Sequence, residues 1–400
     1  MTISAKLIFA TQFFPPDTNT AAVYLGKIAD GLAEENRVVV LSATPDSGSG
    51  ANPASNPAVV EIGNWDPEKS ALIRRGIAIC ALAARMFLSV VRRARPQDIV
   101  FCVTAPFTLP YAVILAAKLR RSKTLLLIHD LFPEVLEVAG FVKPASPTAR
   151  LLRFANALMF RHVDSIVVIG RDVPALLANY PGVAPEKIHF IPNWVLLPIG
   201  YRAIDPNNNF RIQPESKFIV GLSGNLGFTH APETVLEAAR ILRNEKDIHF
   251  LLSGWGVGWK EMNDFLAREG LDNVTIVDPA PLEELADFLS AADVWVIPYR
   301  RNIAGVSVPS RLYNLLAVGR PVIVAAESHS EAAIELAGED IGWVAPPEDP
   351  PQLARIIQEA ASDRVETDQK GRRAAVVALK YTEEAALLRY REVVRALKQG

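Results

Sequence analysis

The chain has 400 residues, half of them apolar and 22% charged, with a net charge of −2. That length exceeds one ordinary core and predicts two domains of roughly 150–200 residues, while the charge balance gives no whole-chain attraction to nucleic acid. Two cysteines, Cys80 and Cys102, exclude a disulfide framework, which fits a reducing cytosol.

The opening "MTISAKLIFATQFFPPD" has an apolar run of about five residues and is expected as a strand, not a secretory signal. No stretch reaches the ~18–20 uninterrupted apolar residues of a membrane span. "KLIFA" (6–10) is followed by a helical "AAVYLGKIADGLAEE", then "RVVVLS" (37–42), "DIVFCV" (98–103), "TLLLIH" (124–129), "SIVVIG" (165–170) and "KIHFIPN" (187–193). These runs are continuous rather than alternating, as strands covered on both faces of a parallel sheet require. The segment 198–216, rich in Pro and Asn and without period, is expected as a linker. A second set follows: "FIVGLSG", "IHFLLSG", "VTIVD", "DVWVIP", "PVIVAA" and "IGWVAP", separated by helices such as "PETVLEAARILRN". The prediction is α/β, two Rossmann-like doubly wound domains in series. They cover 1–197 and 217–380. A polar stretch, "ASDRVETDQKGRR", precedes a last helix, 382–398, expected to join the first domain.

Ligands of such sheets sit at the carboxyl ends of the strands. There, "LIHDLFPE" places His129, Asp130 and Glu134 together, a group able to orient hydroxyls and the candidate catalytic set. "GLSGNLGFTHAPE" carries Gly224 and Gly227, which let backbone N–H groups approach a ligand. "LLSGWGVGW" adds Gly254. "VPSRLYNLLAVGRPVIV" offers Ser310 as an N-cap, Arg311 on the first turn and Asn314 within reach of hydroxyls, with Arg300 and Arg301 just upstream. Glycine-rich turns and a basic helix start converging on one crevice suit a diphosphate. No D-x-D pair and no His/Cys cluster of zinc spacing is present, so no metal or other cofactor is expected. Residues 71–95 read as one long helix, with Arg74, Arg85 and Arg92 on one face and Leu72, Ala83, Phe87, Val90 and Val91 opposite. Such a helix can lie on an anionic membrane surface.

With these motifs, in this order and spacing, the chain resembles the GT-B glycosyltransferases of family 4, in particular the bacterial O-antigen, capsule and exopolysaccharide branch. The marks are "FFPPDTNTAA", "HDLFPE", "SGNLGFTHAPETVLEAA", "LLSGWGVG", "DPAPLEELADFLSAADVWVIP" and "VPSRLYNLLAVGRPVIV". The resemblance implies two domains facing a central cleft and a retaining transfer. A nucleotide-sugar donor, usually UDP-linked, would be held by the second domain. A polyprenyl-linked or saccharide acceptor would be held by the first, through a loop that includes Asp17, Thr18 and Asn19. Pro279 and Ala280 of "DPAP" would lie against the base. Asn314 stands where the family's second glutamate bonds the ribose, and Val306 where it has the first. Asn225 and His230 stand at its arginine and lysine positions, and Arg311 matches a basic residue of the branch. The implied setting is the cytoplasm, at the inner face of the plasma membrane. Two rivals share the architecture, a nucleotide-sugar 2-epimerase and a non-catalytic nucleotide-sugar-binding subunit.

Overall fold

The structure, a computed structural model, describes residues 5–45, 55–64, 72–211 and 217–399. The chain divides into two compact units. The first comprises Met1–Pro133, Val142–Pro192 and Glu384–Gly400; the second comprises Glu134–Phe141 and Asn193–Glu383.

The first unit is a parallel sheet of order β3-β2-β1-β4-β5-β6-β7 among the described residues. Its strands are β1 (Lys6–Thr11), β2 (Arg37–Ser42), β3 (Ala58–Glu61), β4 (Ile99–Val103), β5 (Lys123–Ile128), β6 (Ser165–Val168) and β7 (Ile188–Phe190). The helices between them are α1 (Thr20–Ala33), α2 (Leu72–Arg93), α3 (Leu109–Leu119), α5 (Pro147–Arg161) and α6 (Val173–Leu177); α4 (Glu134–Val138) counts with the second unit. Side chains alternate across the sheet. Ile8, Ala10, Val100, Cys102, Leu126 and Ile128 share a core with Leu82, Met86 and Val90 of α2, Val113 and Ala117 of α3, and Met159 and Phe160 of α5. On the other face Phe9 stacks on Phe101 at 4.4 Å, and Phe101 meets Tyr390 at 6.2 Å. Right-handed crossovers produce this division. The chain moves one way from β1 to β2 and the other way from β3 through β6, so α2, α3 and α5 share a face opposite α1.

The second unit is a parallel sheet of order β10-β9-β8-β11-β12-β13. Its strands are β8 (Phe218–Asn225), β9 (Ile248–Trp255), β10 (Val274–Ile276), β11 (Val294–Pro298), β12 (Val322–Ala325) and β13 (Gly342–Ala345). Its helices are α7 (Pro232–Ile241), α8 (Val257–Glu269), α9 (Leu285–Ser290), α10 (Arg311–Ala317), α11 (Glu331–Glu339), α12 (Pro350–Ser362) and α13 (Arg364–Ala378). The last helix, α14 (Glu383–Gln399), lies almost wholly within the first unit. There Arg391 reaches the Gly31 carbonyl of α1 at 3.0 Å, and Arg395 pairs with Glu35 at 2.7 Å.

Three expectations change. Residues 198–211 are not a free linker but pack on the second unit. Gly200 N–H bonds the Ala317 carbonyl at 2.8 Å, and the buried Arg211 bonds the Ala291 carbonyl at 2.8 Å and pairs with Asp293 at 3.0 Å. Residues 212–216 lie outside the described residues. The polar stretch before the last helix is itself helical, as α13. Asp363 caps it, and Thr367, Ala374 and Ala378 are buried along one side, a stripe that its exposed charges hide in the sequence. The expected helix 71–95 ends at Arg93; Ala71 and the side chain of Leu72 lie outside the described residues.

One buried histidine makes stability pH-dependent. His249 on β9 is 2% exposed and its Nε2 lies 2.8 Å from Thr275 Oγ1. Burial, and after it the charge of Lys217, pushes its pKa down to about 4. Above pH ~6.5 neither the folded nor the unfolded chain protonates it. As pH falls from there, the unfolded chain gains a proton that the folded chain refuses until about 4. Stability is therefore lost across that window, by up to ~3 kcal/mol from this group. The urea midpoint of the wild type should drop more between pH 7 and pH 4.5 than that of His249→Gln. Equal drops would show that His249 is not the titrating group.

Candidate functional site

In the second unit β9 and β10 lie to one side of β8, and β11 to β13 to the other. The gap between β8 and β11 is the topological switch point, where a crevice opens at the carboxyl ends of the strands. Gly224 and Asn225 end β8, Gly254 lies near the end of β9, and Pro279 and Ala280 follow β10. Arg300 and Arg301 follow β11, and Ser310, Arg311 and Asn314 open α10. Each of these candidates thus lies at a strand's carboxyl end or on the segment leaving it.

The two glycine turns close on each other. Gly224 pairs in register with Gly254, and a Cβ on Gly254 would lie 2.2 Å from the Gly224 carbonyl oxygen. Gly224 has φ +98°, and a Cβ there would come 3.3 Å from Arg311 Cζ. Gly227 differs: an added Cβ would meet nothing within 4 Å.

Arg311 is the centre of the site. Its guanidinium donates to the carbonyls of Ser223 and Asn225 and comes 3.3 Å from His230 Nε2. Among the described residues no carboxylate pairs with it. Burial lowers its pKa, yet an arginine stays charged at neutral pH. Burial first, then the charges of Arg311 and Arg300, hold His230 well below the ordinary histidine range. A neutral ring protonated on Nδ1 would donate to Thr229 Oγ1, 3.3 Å away, and leave Nε2 as acceptor for Arg311. The ring stacks on Tyr299 with centroids 4.9 Å apart. Backbone bonds from Ala231 to Pro298 (3.1 Å) and from Arg300 to Thr229 (2.9 Å) tie the loops after β8 and β11 across the switch point.

The other arginines are partnered. Arg300 pairs with Glu233 at 3.1 Å, and Arg301 with Glu348 at 3.0 Å. Glu327, after β12, accepts from the N–H groups of Asn302 (2.5 Å) and Ile303 (3.2 Å) and so fixes the loop that carries both. Ser310 occupies the cap position of α10 but makes no capping bond, because its φ −59° and ψ −27° are already helical where a cap needs an extended backbone. Asn314 Oδ1 accepts from Leu196 N–H at 2.9 Å. Pro279 is exposed and Ala280 half-buried, on a loop anchored by the Val277 N–H to the Leu252 carbonyl at 2.9 Å. Edge-on contact of Phe141 with Phe228, 4.7 Å between centroids, sets the segment after α4 against the glycine-rich turn.

In the first unit the expected acceptor loop is largely self-satisfied. Asp17 accepts from Asn19 N–H at 2.8 Å, and Asn19 caps α1 by accepting from Ala22 N–H at 2.9 Å; Thr18 is exposed. The polar residue just before "TAAVYLGKIADGLA" was the available signal for that cap. His129 and Asp130 follow β5, their N–H groups directed at Thr104 Oγ1 at 3.2 and 3.4 Å. Burial pushes His129 down to about 4, so it is neutral near pH 7. Glu134 begins α4 and belongs to the second unit.

Sequence reasoning missed Tyr299, Glu327 and the carboxylates Glu233 and Glu348. Their only mark is position just after a strand or at a helix start, which many surface residues share.

Two family models match: a glycosyl transferase 4-like domain over residues 19–194, and glycosyl transferases group 1 over residues 217–363. The chain belongs to the family-4 glycosyltransferases of GT-B fold. The transferase is 28% identical to WbjE of Pseudomonas aeruginosa, named as a glycosyltransferase, over 89% of each chain. It is 29% identical, over 66% of each chain, to WcaI of Escherichia coli K12, whose name places it in colanic acid biosynthesis. In fold the transferase is similar to Anabaena HepE, solved in complex with UDP, with TM-score 0.71, 16% identity and coverage of 98% and 100%. Val306, which the resemblance sets at the first glutamate position, is buried. The cation beside the first turn is Arg311 on α10, which touches both residues that the resemblance sets at the basic positions, the Asn225 carbonyl and His230 Nε2.

Proposed function

We propose that the transferase moves a sugar from a UDP-linked donor, with retention at the anomeric carbon, onto a polyprenyl-linked or saccharide acceptor in bacterial surface polysaccharide assembly. The observation that carries this reading is Arg311, a half-buried cation at the switch point of the sheet with no carboxylate partner among the described residues. A cation removed from water without a counter-charge is costly, and a diphosphate would supply that charge. The UDP and UDP-glucose complexes of HepE and the name of WcaI support the choice of donor and pathway class.

In this reading the bond between the anomeric carbon and the β-phosphate oxygen breaks, and negative charge gathers on that phosphate. The Arg311 guanidinium and the N–H groups of the glycine-rich turn stabilise the charge in place, which is where most of the rate enhancement would arise. The acceptor hydroxyl forms the new bond on the same face, and its proton goes to the departing phosphate. Neutral His129, with Asp130 beside it in the chain, orients a sugar hydroxyl.

A thermal-shift series with UDP-, GDP- and TDP-linked sugars tests the donor, because a ligand bound only to the native state raises the melting point by mass action. UDP-sugars are expected to give the largest shift; a larger one with GDP-sugars overturns the assignment. Incubation with UDP-N-acetylglucosamine and no acceptor should yield no epimer. An epimer would favour the 2-epimerase.

Asn314 separates two roles. Its oxygen is engaged by Leu196 N–H, which leaves the NH2 group for a ribose hydroxyl. Asn314→Asp keeps the acceptor for Leu196 and replaces the NH2 donor by a second acceptor, which a ribose O–H can meet equally well, so it should melt and bind UDP much as the wild type does. Asn314→Ala removes both and should lose stability and, where still folded, bind UDP about fivefold more weakly, the ~1 kcal/mol of a neutral hydrogen bond. If folded Asn314→Ala binds UDP as tightly as the wild type, Asn314 only positions the chain at Leu196.

A further inference from the structure

We infer that the outer face of α2, α3 and α5 docks the first unit on an anionic bilayer surface. The three helices cover one side of one sheet. Nine of their residues are Lys or Arg and none is Asp or Glu, in a chain where acidic residues outnumber basic ones by 44 to 42. Their inner sides fill the core; their outer sides do not turn polar. On α5, Leu151, Phe154 and Leu158 lie three and four residues apart and are all more than half exposed, Phe154 at 69%. Leu115 and Leu119 repeat the pattern on α3, and Leu88 stands on α2 among the exposed Arg74, Arg85 and Arg92.

Some of this charge has a local use: Lys118 pairs with Asp164 at 3.0 Å, and Arg85 donates to the Gly63 carbonyl. The bond to a carbonyl leaves the charge of Arg85 intact. The opposite side of the sheet is different in kind. There α1 and α14 present mixed charges, Glu34 and Glu35 against Arg391 and Arg395. Apolar side chains flanked by cations, with no anion among them, suit the boundary between phosphate headgroups and acyl chains. Side chains enter that boundary by roughly 5–10 Å, and each cation near an anionic surface adds attraction. No helix among the described residues is long and apolar enough to cross a membrane. A second copy of the chain is a poorer occupant, because a two-fold contact would set this face, with its like charges, against itself.

The test is co-sedimentation of the full chain, in low salt, with vesicles of phosphatidylcholine alone or with phosphatidylglycerol added. It uses neither donor nor acceptor, so its result is separate from that of the transfer reaction. The wild type should pellet with the anionic vesicles and largely stay behind with the neutral ones. The triple variant Leu151→Ser, Phe154→Ser, Leu158→Ser should lose at least tenfold in vesicle affinity. So should Arg74→Glu, Arg85→Glu, Arg92→Glu. Val365→Ser with Val376→Ser, equally exposed but on α13, should bind as the wild type does. If melting shows that the first triple does not fold, Phe154→Ser alone carries the comparison. The inference fails if the wild type stays in the supernatant with anionic vesicles, or if the α13 variant loses as much as the face variants. It fails equally if light scattering shows a dimer that the face variants turn into a monomer while vesicle binding is absent.

Discussion

Arg311→Ala should weaken UDP binding by one to two orders of magnitude and leave uridine binding nearly unchanged. A hydrogen bond to a charged group is worth about 1.5–3 kcal/mol, and Arg311 is the site's cation without a carboxylate partner among the described residues. Arg300 and Arg301 already face Glu233 and Glu348, so their fields at the crevice are partly cancelled. Arg311→Lys is the sharper probe. An ammonium keeps the charge but cannot hold the Ser223 and Asn225 carbonyls with one planar fork while facing an anion. Its UDP affinity should lie between those of the wild type and the alanine variant. Calorimetry that finds equal losses for UDP and uridine would show that Arg311 only braces the turn.

Gly254→Ala should destabilise the second unit by roughly 2–4 kcal/mol and lower donor affinity with it, since the added Cβ would fall 2.2 Å from the Gly224 carbonyl oxygen. Backbone, unlike the end of a flexible side chain, has nowhere to go. Relief would require the ends of β8 and β9 to separate, moving the turn that Arg311 clasps. Gly227→Ala is the matched control. With nothing within 4 Å of its added Cβ, it should change stability by less than about 0.5 kcal/mol. Denaturant melts of the two variants decide, and a Gly254→Ala as stable as Gly227→Ala would be incompatible with the close approach.

The strand runs were legible because a strand buried on both faces needs no alternation, and runs such as those at β4, β8 and β11 stand out from their surroundings. The short edge strand β3, Ala58–Glu61, carries too little apolar sequence to stand out and was missed. Helix α13 was obscured by its exposed charges, and residues 198–211 by Pro and Asn that punctuate packed segments as readily as free ones. At the site, positions were readable and pairings were not. "YRRN" after a strand announces two cations but not that Glu233 and Glu348, 67 and 47 residues from their partners, answer them. Ser310 has the right residue type for a cap, but residue type does not report ψ. The Asn314 contact to Leu196 spans 118 residues and leaves no local trace.

The closure of the first unit by α14 has a consequence for biosynthesis. Arg391 bonds Gly31 across 360 positions, and Arg395 bonds Glu35 across the same span. Between Pro192 and Glu384 the ribosome must make nearly all of the second unit, which at 5–20 residues per second takes about 10–40 s. For that interval Phe101 lacks its contact with Tyr390, and Glu34 and Glu35 lack their arginines. The half made first is thus the half finished last, and the nascent chain must carry a sheet face that α14 does not yet cover through the synthesis of its neighbour. A chain permuted so that α14 precedes β1 would remove that delay without changing a single native contact within the first unit.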